Sequence, residues 1–385
     1  MTVDQARKAV LTRMGRGQTL TGSQGSGETP ELGVVSGYLF KLMRGSLGCT
    51  QVDLAERLSV DDNTIQGWES GRRPLSALRA ADLTRLCQRL TVMGVPAVAT
   101  SLLPSAVEAD AFLTTAVRAG AAPLPLWDNP LASSVHRRSF VGLVTWPFTG
   151  IIPGPVRHLP LPKARGPVAD RPQLSKAMQQ SFFDQMLTSA EMAGNTTTLL
   201  RRQATYMLAF DEREESAQWL TREHRRTAAR SIDERDLPSG ILSRTASLAI
   251  ARQGDLEPVR HFIQGTLASD NQTLASLTYW AYWLGEIPDT FADDGEMVEL
   301  GARSWSGRRL IEHLITHLHD PRNAEMNIHS LLCLVMARKE LLESDSELRQ
   351  RTLAAIEQAD AGELGRHARQ ELANLRFATQ LAGRN

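Results

Sequence analysis

Apolar residues recur at the three- and four-residue spacing of helices in two parts of the chain, 31–119 and 173–385. In the first part the pattern is interrupted at GSLG, SVDD, GRRP, GVP and LLPS, which predicts a domain of about five short helices. In the second part it predicts about ten helices joined by short turns. The predicted fold class is therefore all-α.

Two segments interrupt the helical pattern. Residues 1–30 are rich in Gly, Ser and Thr from position 15 onward, which is typical of a flexible arm. Residues 120–172 contain ten of the eighteen prolines, so we expect neither a long helix nor a central strand there. The apolar run Phe140–Trp146 is unusual for a disordered linker, and we interpret 120–172 as an extended strap packed on another part of the protein.

The helical region 173–385 is predicted to form an irregular set of helical hairpins, either a TPR-like solenoid or a bundle. The turn ARQGDLEPVRHF has the Gly-Asp connection found between paired helices of tetratricopeptide arrays, but no clean period of about 34 residues is present. We expect this region to serve dimerisation and to sense a signal.

Charge and cysteine content indicate which partners and which cellular compartment to expect. Lys and Arg number 43, as do Asp and Glu, so bulk charge favours neither a nucleic acid nor a membrane as partner. The three cysteines are far apart and form no CxxC motif, which favours a reducing compartment. The N-terminus has no signal-peptide core, and no run of about 18 apolar residues occurs. We expect a cytoplasmic, nucleoid-associated protein without a membrane partner, and high Arg usage favours a bacterial source.

The segment TQVDLAERLSVDDNTIQGWESGRR, residues 50–73, predicts two short helices joined by a tight turn. Thr50 is a good N-cap for the first helix, and either Asp61 or Asp62 is a good N-cap for the second. Ile65 and Trp68 are spaced to face back onto the first helix. The outer face of the second helix then carries the polar or small residues Asp62, Asn63, Gln66 and Gly67, followed by Arg72 and Arg73.

This segment resembles the helix-turn-helix of the phage repressor and Cro group, also called the xenobiotic-response-element (XRE) family. The match is gapless over TQxxLAxxLxVxxxTIxxWExG and extends with flanking helices from residue 33 to about 90. The resemblance implies a structural ion pair between Arg44 and Glu69. It also implies a positive φ at Ser59, where the family usually has Gly.

The resemblance implies DNA contacts that chemistry makes reasonable. Phosphate contacts are expected from a helix N-terminus, a hydroxyl and two cations, namely Gln51, Thr64, Arg72 and Arg73. Base contacts are expected from Asp62, Asn63, Gln66 and Gly67. Asn63 and Gln66 can pair with an adenine edge, whereas Asp62 either accepts from a cytosine amine or only caps its helix.

The low charge of this region argues against tight non-specific binding, because residues 31–95 have eight basic and seven acidic side chains. Homodimerisation on a two-fold operator is one compensation. A second is entry of the N-terminal arm, with Arg7, Lys8, Arg13 and Arg16, into a minor groove, although a solvated tail is the commoner arrangement.

Two further groups of side chains attract interest. Tyr279, Trp280, Tyr282 and Trp283 lie within five positions, so these side chains are either deeply packed or line a pocket or interface. His313, His317, His319 and Asp320 have ligand-like spacing, but we favour a solvated histidine face and predict no metal site.

The sequence contains none of the motifs typical of nucleotide-binding loops or nucleophilic enzymes, so we predict no enzyme activity and no cofactor. The hypothesis is a transcriptional regulator that binds double-stranded DNA as a homodimer, with a small-molecule or protein effector acting through the C-terminal helices. The alternative is an interaction adaptor whose helical solenoid binds a peptide or protein and whose small domain does not read DNA.

Overall fold

A computed structural model describes residues 32–161, 171–193, 197–228, 233–302, 305–360, 362 and 364–383. Every regular element in these ranges is a helix, which confirms the all-α prediction. The predicted arm over residues 1–30 lies outside the described ranges. Among the described helices, none is long and apolar enough to cross a membrane.

The N-terminal part has five helices of eight or more residues and one single turn, α5. These helices are α1 Val34–Ser46, α2 Gln51–Leu58, α3 Asp62–Glu69, α4 Ala80–Val92, α5 Ala97–Thr100 and α6 Leu103–Ala119. The five longer helices agree with the predicted number. A 3₁₀ turn, Leu75–Ala77, joins α3 to α4.

Close contact between α1 and α3 fixes the position of α3. A Cβ atom added at Gly37 would lie 2.3 Å from the carbonyl oxygen of Trp68, so only glycine allows this approach of the two helices. The ring of Trp68 packs edge-on against Phe40, with centroids 5.6 Å apart. Ile65 is fully buried beside them. The side of α3 that carries Ile65 and Trp68 therefore faces the core, as the sequence predicts.

The N-terminus of α1 is capped from a distant helix. Asp110 of α6 accepts hydrogen bonds from the backbone N–H groups of Val35 and Ser36, each at 2.9 Å. No residue next to α1 caps it with a side chain. Burial raises the pKa of the Asp110 carboxyl to about 6, although the two backbone hydrogen bonds oppose this shift. Asp110 thus ties the first helix to α6.

The expectation that no long helix forms within 120–172 is wrong. Helix α7, Arg138–Thr149, contains the apolar run Phe140–Trp146, and four of its apolar side chains are buried. Pro147 lies in the last turn, and the helix ends at Gly150 with φ of 68°, so the proline removes little of the helical hydrogen bonding. Two further prolines of this segment, Pro130 and Pro155, lie in the 3₁₀ turns Pro130–Ala132 and Gly154–Val156.

Twelve further helices follow in the described residues, somewhat more than the predicted ten. They are α8 Lys176–Met192, α9 Thr198–Leu208, α10 Glu214–Ala228, α11 Leu237–Arg252, α12 Glu257–Gln264, α13 Asp270–Trp283, α14 Asp294–Gly301, α15 Arg308–Thr316, α16 Ala324–Ala337, α17 Glu340–Glu343, α18 Ser346–Asp360 and α19 Arg366–Leu381. A C-terminal helical region is therefore present, while its TPR-like character stays a prediction.

One cluster of buried apolar side chains extends from Leu32 to Ile250, and a second includes most of the remaining helices up to Ala382. The first cluster includes side chains from α1 to α4, from α7 and from α8 to α11. This cluster therefore continues across the predicted domain boundaries at 119 and 172. The division of the chain into separate folding units at these boundaries stays a prediction.

Candidate nucleic-acid interface and an aromatic cavity

Local capping sets where α2 and α3 begin. The Thr50 hydroxyl accepts from the Asp53 N–H at 3.1 Å, and the Asp53 carboxylate accepts from the Thr50 N–H at 2.9 Å, which is a reciprocal capping box. The backbone and hydroxyl hydrogen bonds of Thr50 lower the pKa of Asp53. Asp61 caps α3 by accepting from the Asn63 N–H at 2.8 Å. Of the two candidate caps, Asp61 fills this role, and Asp62 lies half-buried in the first turn.

The turn between α2 and α3 depends on one left-handed residue. Ser59 has φ of 55° and ψ of 49°, and it is the only non-glycine residue with positive φ in the described ranges. The Val60 N–H then bonds back to the Ala55 carbonyl at 3.0 Å, which closes the end of α2. Ser59 therefore adopts the conformation that the family usually assigns to glycine.

Asn63 and Gln66 are both exposed on the outer face of α3. Within the described part of the chain neither side-chain amide forms a hydrogen bond. Each amide offers one donor group and one acceptor, the combination that an adenine edge requires. The structure thus leaves the two strongest candidates for base contact available.

Gly67 does not lie on the open face, contrary to the prediction. It is buried under the side chain of Arg73, and an added Cβ would lie 2.9 Å from the Arg73 Cδ atom. After α3 the chain folds back, so that the Arg73 N–H bonds to the Gly67 carbonyl at 3.0 Å. The absence of a side chain at Gly67 makes room for Arg73, so a base contact from Gly67 would require the Arg73 side chain to move.

A buried network joins α1, α2 and α3. Arg44 lies with its Nε atom 2.5 Å and its Nη2 atom 3.1 Å from the two carboxylate oxygens of Glu69, as the expected ion pair requires. The Gln51 amide donates to the same carboxylate at 2.7 Å, and Arg44 also donates to the Cys49 carbonyl at 2.9 Å. The Glu69 side chain is only 5% exposed. This network holds the N-terminus of α2 against the C-terminus of α3.

Gln51 therefore has a structural contact that the sequence did not indicate. One hydrogen of its amide is used by Glu69, and the second remains for a phosphate. The first backbone N–H groups of α2 have no partner within the helix, which favours an anion at this end.

Two arginines follow α3 on the exposed surface. Arg72 donates to the Ser70 hydroxyl at 3.1 Å, and Arg73 donates to the Thr64 hydroxyl at 3.0 Å. Neither forms an ion pair with a described acidic residue. Two uncompensated cations therefore border the face that carries Asn63 and Gln66.

Residues 40–91 match the protein family described as helix-turn-helix. The chain carries a helix-turn-helix domain of the XRE type. No curated protein and no solved structure is significantly similar to the chain. The match places α2 and α3 as the paired helices of a DNA-binding domain, and it includes Arg44, Glu69 and both exposed amides.

Two residues that support the helix-turn-helix domain were missed at the sequence level. Asp110 caps α1, and Arg89 of α4 donates to the Leu58 carbonyl at the end of α2 at 2.9 Å. The segment LPSAVEADAFLTTAV has two carboxylates, Glu108 and Asp110, and the place of Asp110 among its apolar positions was the available signal. The sequence gives no comparable signal for Arg89.

The aromatic group on α13 lines a cavity of about 910 Å³. Tyr279, Trp280, Tyr282 and Trp283 all reach this cavity. The tyrosines are buried and anchored, since Tyr282 donates to the Val135 carbonyl at 2.7 Å and Tyr279 accepts from Arg202 at 3.0 Å. The tryptophans are only half-buried. The tyrosines are therefore both packed and at the cavity wall, and the tryptophans are the more exposed part of that wall.

The histidines of α15 also border this cavity. The rings of His313 and His317 lie 4.2 Å apart, and His317 bonds to the His313 carbonyl at 2.8 Å. Burial, with smaller effects from His317 and Arg138, lowers the pKa of His313 to about 3, so its ring is neutral at pH 7. In the described ranges no group of three His, Cys, Asp or Glu side chains is placed to hold a metal ion.

Proposed function

We propose that the protein is a sequence-specific transcriptional regulator that reads DNA with the outer face of α3. The observation that carries this proposal is the pair of unpartnered, exposed amides of Asn63 and Gln66 on a helix whose other side is rigidly held. A rigid supporting network is what a reading helix needs, because bidentate base contacts tolerate little misplacement. The match of residues 40–91 to the helix-turn-helix family supports the same function.

The surrounding residues fit the expected geometry of a duplex. With α3 in the major groove, Arg72 and Arg73 reach the sugar-phosphate backbone, and Thr64 lies beside Arg73. The N-terminus of α2, with the free hydrogen of the Gln51 amide, meets a second phosphate. Asp62 accepts from a cytosine amine where its half-buried carboxylate faces the groove. Gly67 has no part in this arrangement.

The reading unit is a homodimer on a two-fold operator. One α3 covers only part of a site, and the helix-turn-helix region has nearly balanced charge, so a single copy binds weakly. Two copies bring four exposed arginines, Arg72 and Arg73 from each, to the phosphates. The logarithm of the binding constant should then fall with the logarithm of salt concentration with a slope of about −3 to −4.

A second function, the interaction adaptor, is favoured by the same near-neutral charge and by Asp62 beside the groove-facing surface. Under this alternative the helix-turn-helix domain is retained for its packing, and the helices after α7 bind a protein or peptide. The two functions differ in a measurable property, because only the regulator has sequence-dependent affinity for duplex DNA.

The test is selection from a random duplex pool with the full-length protein at near-physiological salt, combined with sedimentation of the selected complex. The regulator predicts an enriched palindrome with half-sites centred about 10 base pairs apart, bound by two protein copies. Absence of any enriched sequence, together with no duplex binding at low salt, would favour the adaptor.

A further inference from the structure

The cavity beside α13 has an unusually cationic wall. Five arginines line it. Arg137 and Arg138 lie at the start of α7, Arg157 directly follows the 3₁₀ turn Gly154–Val156, and Arg244 and Arg252 lie on α11. Among the described residues that line it, Asp320 is the only acidic one. The Asp320 carboxylate already accepts from the Asn323 amide at 3.0 Å and from the Arg322 N–H at 3.2 Å. Five guanidinium groups against one carboxylate leave the described wall of the cavity with a net positive charge.

Two buried arginines contact the Tyr279 ring, and they differ in how their charge is compensated. Arg202 lies 2.7 Å from the Asp294 carboxylate, and both side chains are at most 2% exposed. Burial opposes the charge on Arg202, but Asp294 raises its pKa. Arg244, whose guanidinium carbon lies 5.4 Å from the Tyr279 ring centroid, forms no hydrogen bond and no ion pair with any described residue, and its Nε and Nη2 atoms are buried. One arginine is paired, and the other is not.

Arg244 is nevertheless held in place by aromatic rings. Its guanidinium carbon lies 4.8 Å from the Trp280 ring centroid and 5.4 Å from the Tyr279 centroid. Burial, together with the nearby charge of Arg202, lowers the pKa of Arg244 to about 10, although Tyr279 opposes the shift, so the group stays charged at pH 7. A buried, charged donor without an acceptor destabilises a protein. Because Nε and Nη2 are buried, the nitrogen that remains to donate to an anion in the cavity is Nη1.

The rings and the cations lie on the same cavity surface. Trp280 and Trp283 are half-buried at the cavity, with Tyr206 on α9 packed against Trp283 at 5.2 Å between centroids. Arg252 lies over Phe210, 4.4 Å from its centroid. In the described structure Arg138, Arg157 and Arg252 form no ion pair. A ligand in this cavity therefore meets flat aromatic faces and uncompensated guanidinium groups together.

We propose that this cavity binds a small molecule that combines a planar aromatic ring with an anionic group, the ring lying against Trp280 and Trp283 and the anion accepting from Arg244. A volume of about 910 Å³ suffices for a drug-sized ligand. The anion is a carboxylate, sulfonate or phosphate, all of which accept charge-assisted hydrogen bonds from arginine. This inference goes beyond DNA binding and does not depend on it.

The first test uses two fluorescent probes that share one ring system. Anilinonaphthalene sulfonate carries an anion, whereas phenylnaphthylamine is its neutral counterpart. The full-length protein should bind one equivalent of the sulfonate, with quenching of tryptophan fluorescence, and at least about tenfold more tightly than the neutral amine. In Arg244→Leu this preference should disappear. In the control Arg376→Leu, which breaks an exposed pair with Asp360, it should persist.

Further variants keep the proposal open to refutation if Arg244→Leu does not fold. Trp280→Leu should weaken both probes alike, since it removes a ring face and leaves the cation. Displacement by naphthyl phosphate or naphthylacetate, but not by neutral naphthylacetamide, would show which anion the cavity prefers. Equal affinity of wild type for both fluorescent probes, or an unchanged preference in Arg244→Leu, would overturn the proposal.

Discussion

Trp146 of α7 packs edge-on against Tyr38 of α1, with ring centroids 5.3 Å apart and ring planes at 89°. Helix α7 also lines the aromatic cavity through Val141 and Thr145. The same helix therefore contacts the helix-turn-helix domain on one side and the cavity on the other. The proline-rich segment, interpreted from the sequence as an extended strap, thus contributes a helix to the core that supports the helix-turn-helix domain.

This shared packing leads to a stability prediction. Trp146 is fully buried, so Trp146→Ala should lower the free energy of unfolding by about 3–5 kcal/mol. Hydrogen exchange should accelerate in α1 as well as in α7, because the two helices share one core. Trp127→Ala is the matched control, since Trp127 is 84% exposed and should have little effect. Unchanged exchange in α1 would show that the helix-turn-helix domain does not depend on α7.

The Arg44, Glu69 and Gln51 network should contribute strongly to the stability of the helix-turn-helix domain. Glu69→Ala leaves Arg44 without a carboxylate in a half-buried site, and we expect a loss of about 2–4 kcal/mol in denaturant unfolding, after allowance for partial solvent exposure of Arg44. Asp82→Ala breaks the exposed pair with Arg85 and should cost less than about 0.5 kcal/mol. Similar costs for the two variants would contradict a structural role for the network.

The left-handed turn residue offers a stabilising change. Ser59→Gly should raise the unfolding free energy by about 0.5–1 kcal/mol, because glycine adopts a positive φ without the steric cost that a Cβ brings. Ser70→Gly is a suitable comparison, since Ser70 ends α3 with φ of −85° and should gain nothing. Denaturation midpoints of the two variants measure the difference, and equal midpoints would argue against strain at Ser59.

A buried pair in the C-terminal region should make stability depend on pH. His329 bonds to the Glu371 carboxylate at 2.6 Å, with Cys333 at 3.6 Å from its other ring nitrogen. Burial disfavours protonation of His329, but the contacts with Cys333 and Glu371 raise its pKa to about 9. Because the folded pKa lies above the unfolded value, this stabilisation is complete below about pH 6.5 and is lost as pH rises through 9.

The variant Glu371→Gln should remove this dependence. Wild type should lose on the order of a few kcal/mol of unfolding free energy between pH 6.5 and 9, while the variant should show a flatter curve over the same range. Asp110, with a pKa of about 6, titrates mainly below this range and so interferes little. Equal slopes for the two proteins in thermal or denaturant unfolding would exclude the raised pKa of His329.

Local signals explain which features the sequence could predict. Thr50 and Asp61 cap their helices through neighbours two or three residues away, and Ser59 lies in a turn of fixed geometry, so the paired helices follow from short segments. Asp110 and Val35, by contrast, are 75 positions apart. The burial of Gly67 under Arg73 likewise follows from a backbone fold beyond the helix. Such contacts depend on tertiary packing, which periodicity does not encode.

The same limit applies to the cavity. The aromatic cluster on α13 indicated either packing or a pocket, but nothing in the sequence separates Arg202, which meets Asp294, from Arg244, which meets no carboxylate. The helix α7 was missed because proline content outweighed the apolar run Phe140–Trp146. Its single internal proline lies in the last turn, where a helix tolerates it.

The most direct test of the central claim is equilibrium binding of the selected operator, and of an unrelated duplex, by the wild type and by the double variant Asn63→Ala, Gln66→Ala. The two amides are each expected to supply about 1–3 kcal/mol of base discrimination, so the double variant should lose most of its operator preference while keeping its weak affinity for unrelated DNA. Gln88→Ala, which removes an exposed amide on α4, should bind as the wild type does. An operator preference that survives in the double variant would contradict reading by the outer face of α3.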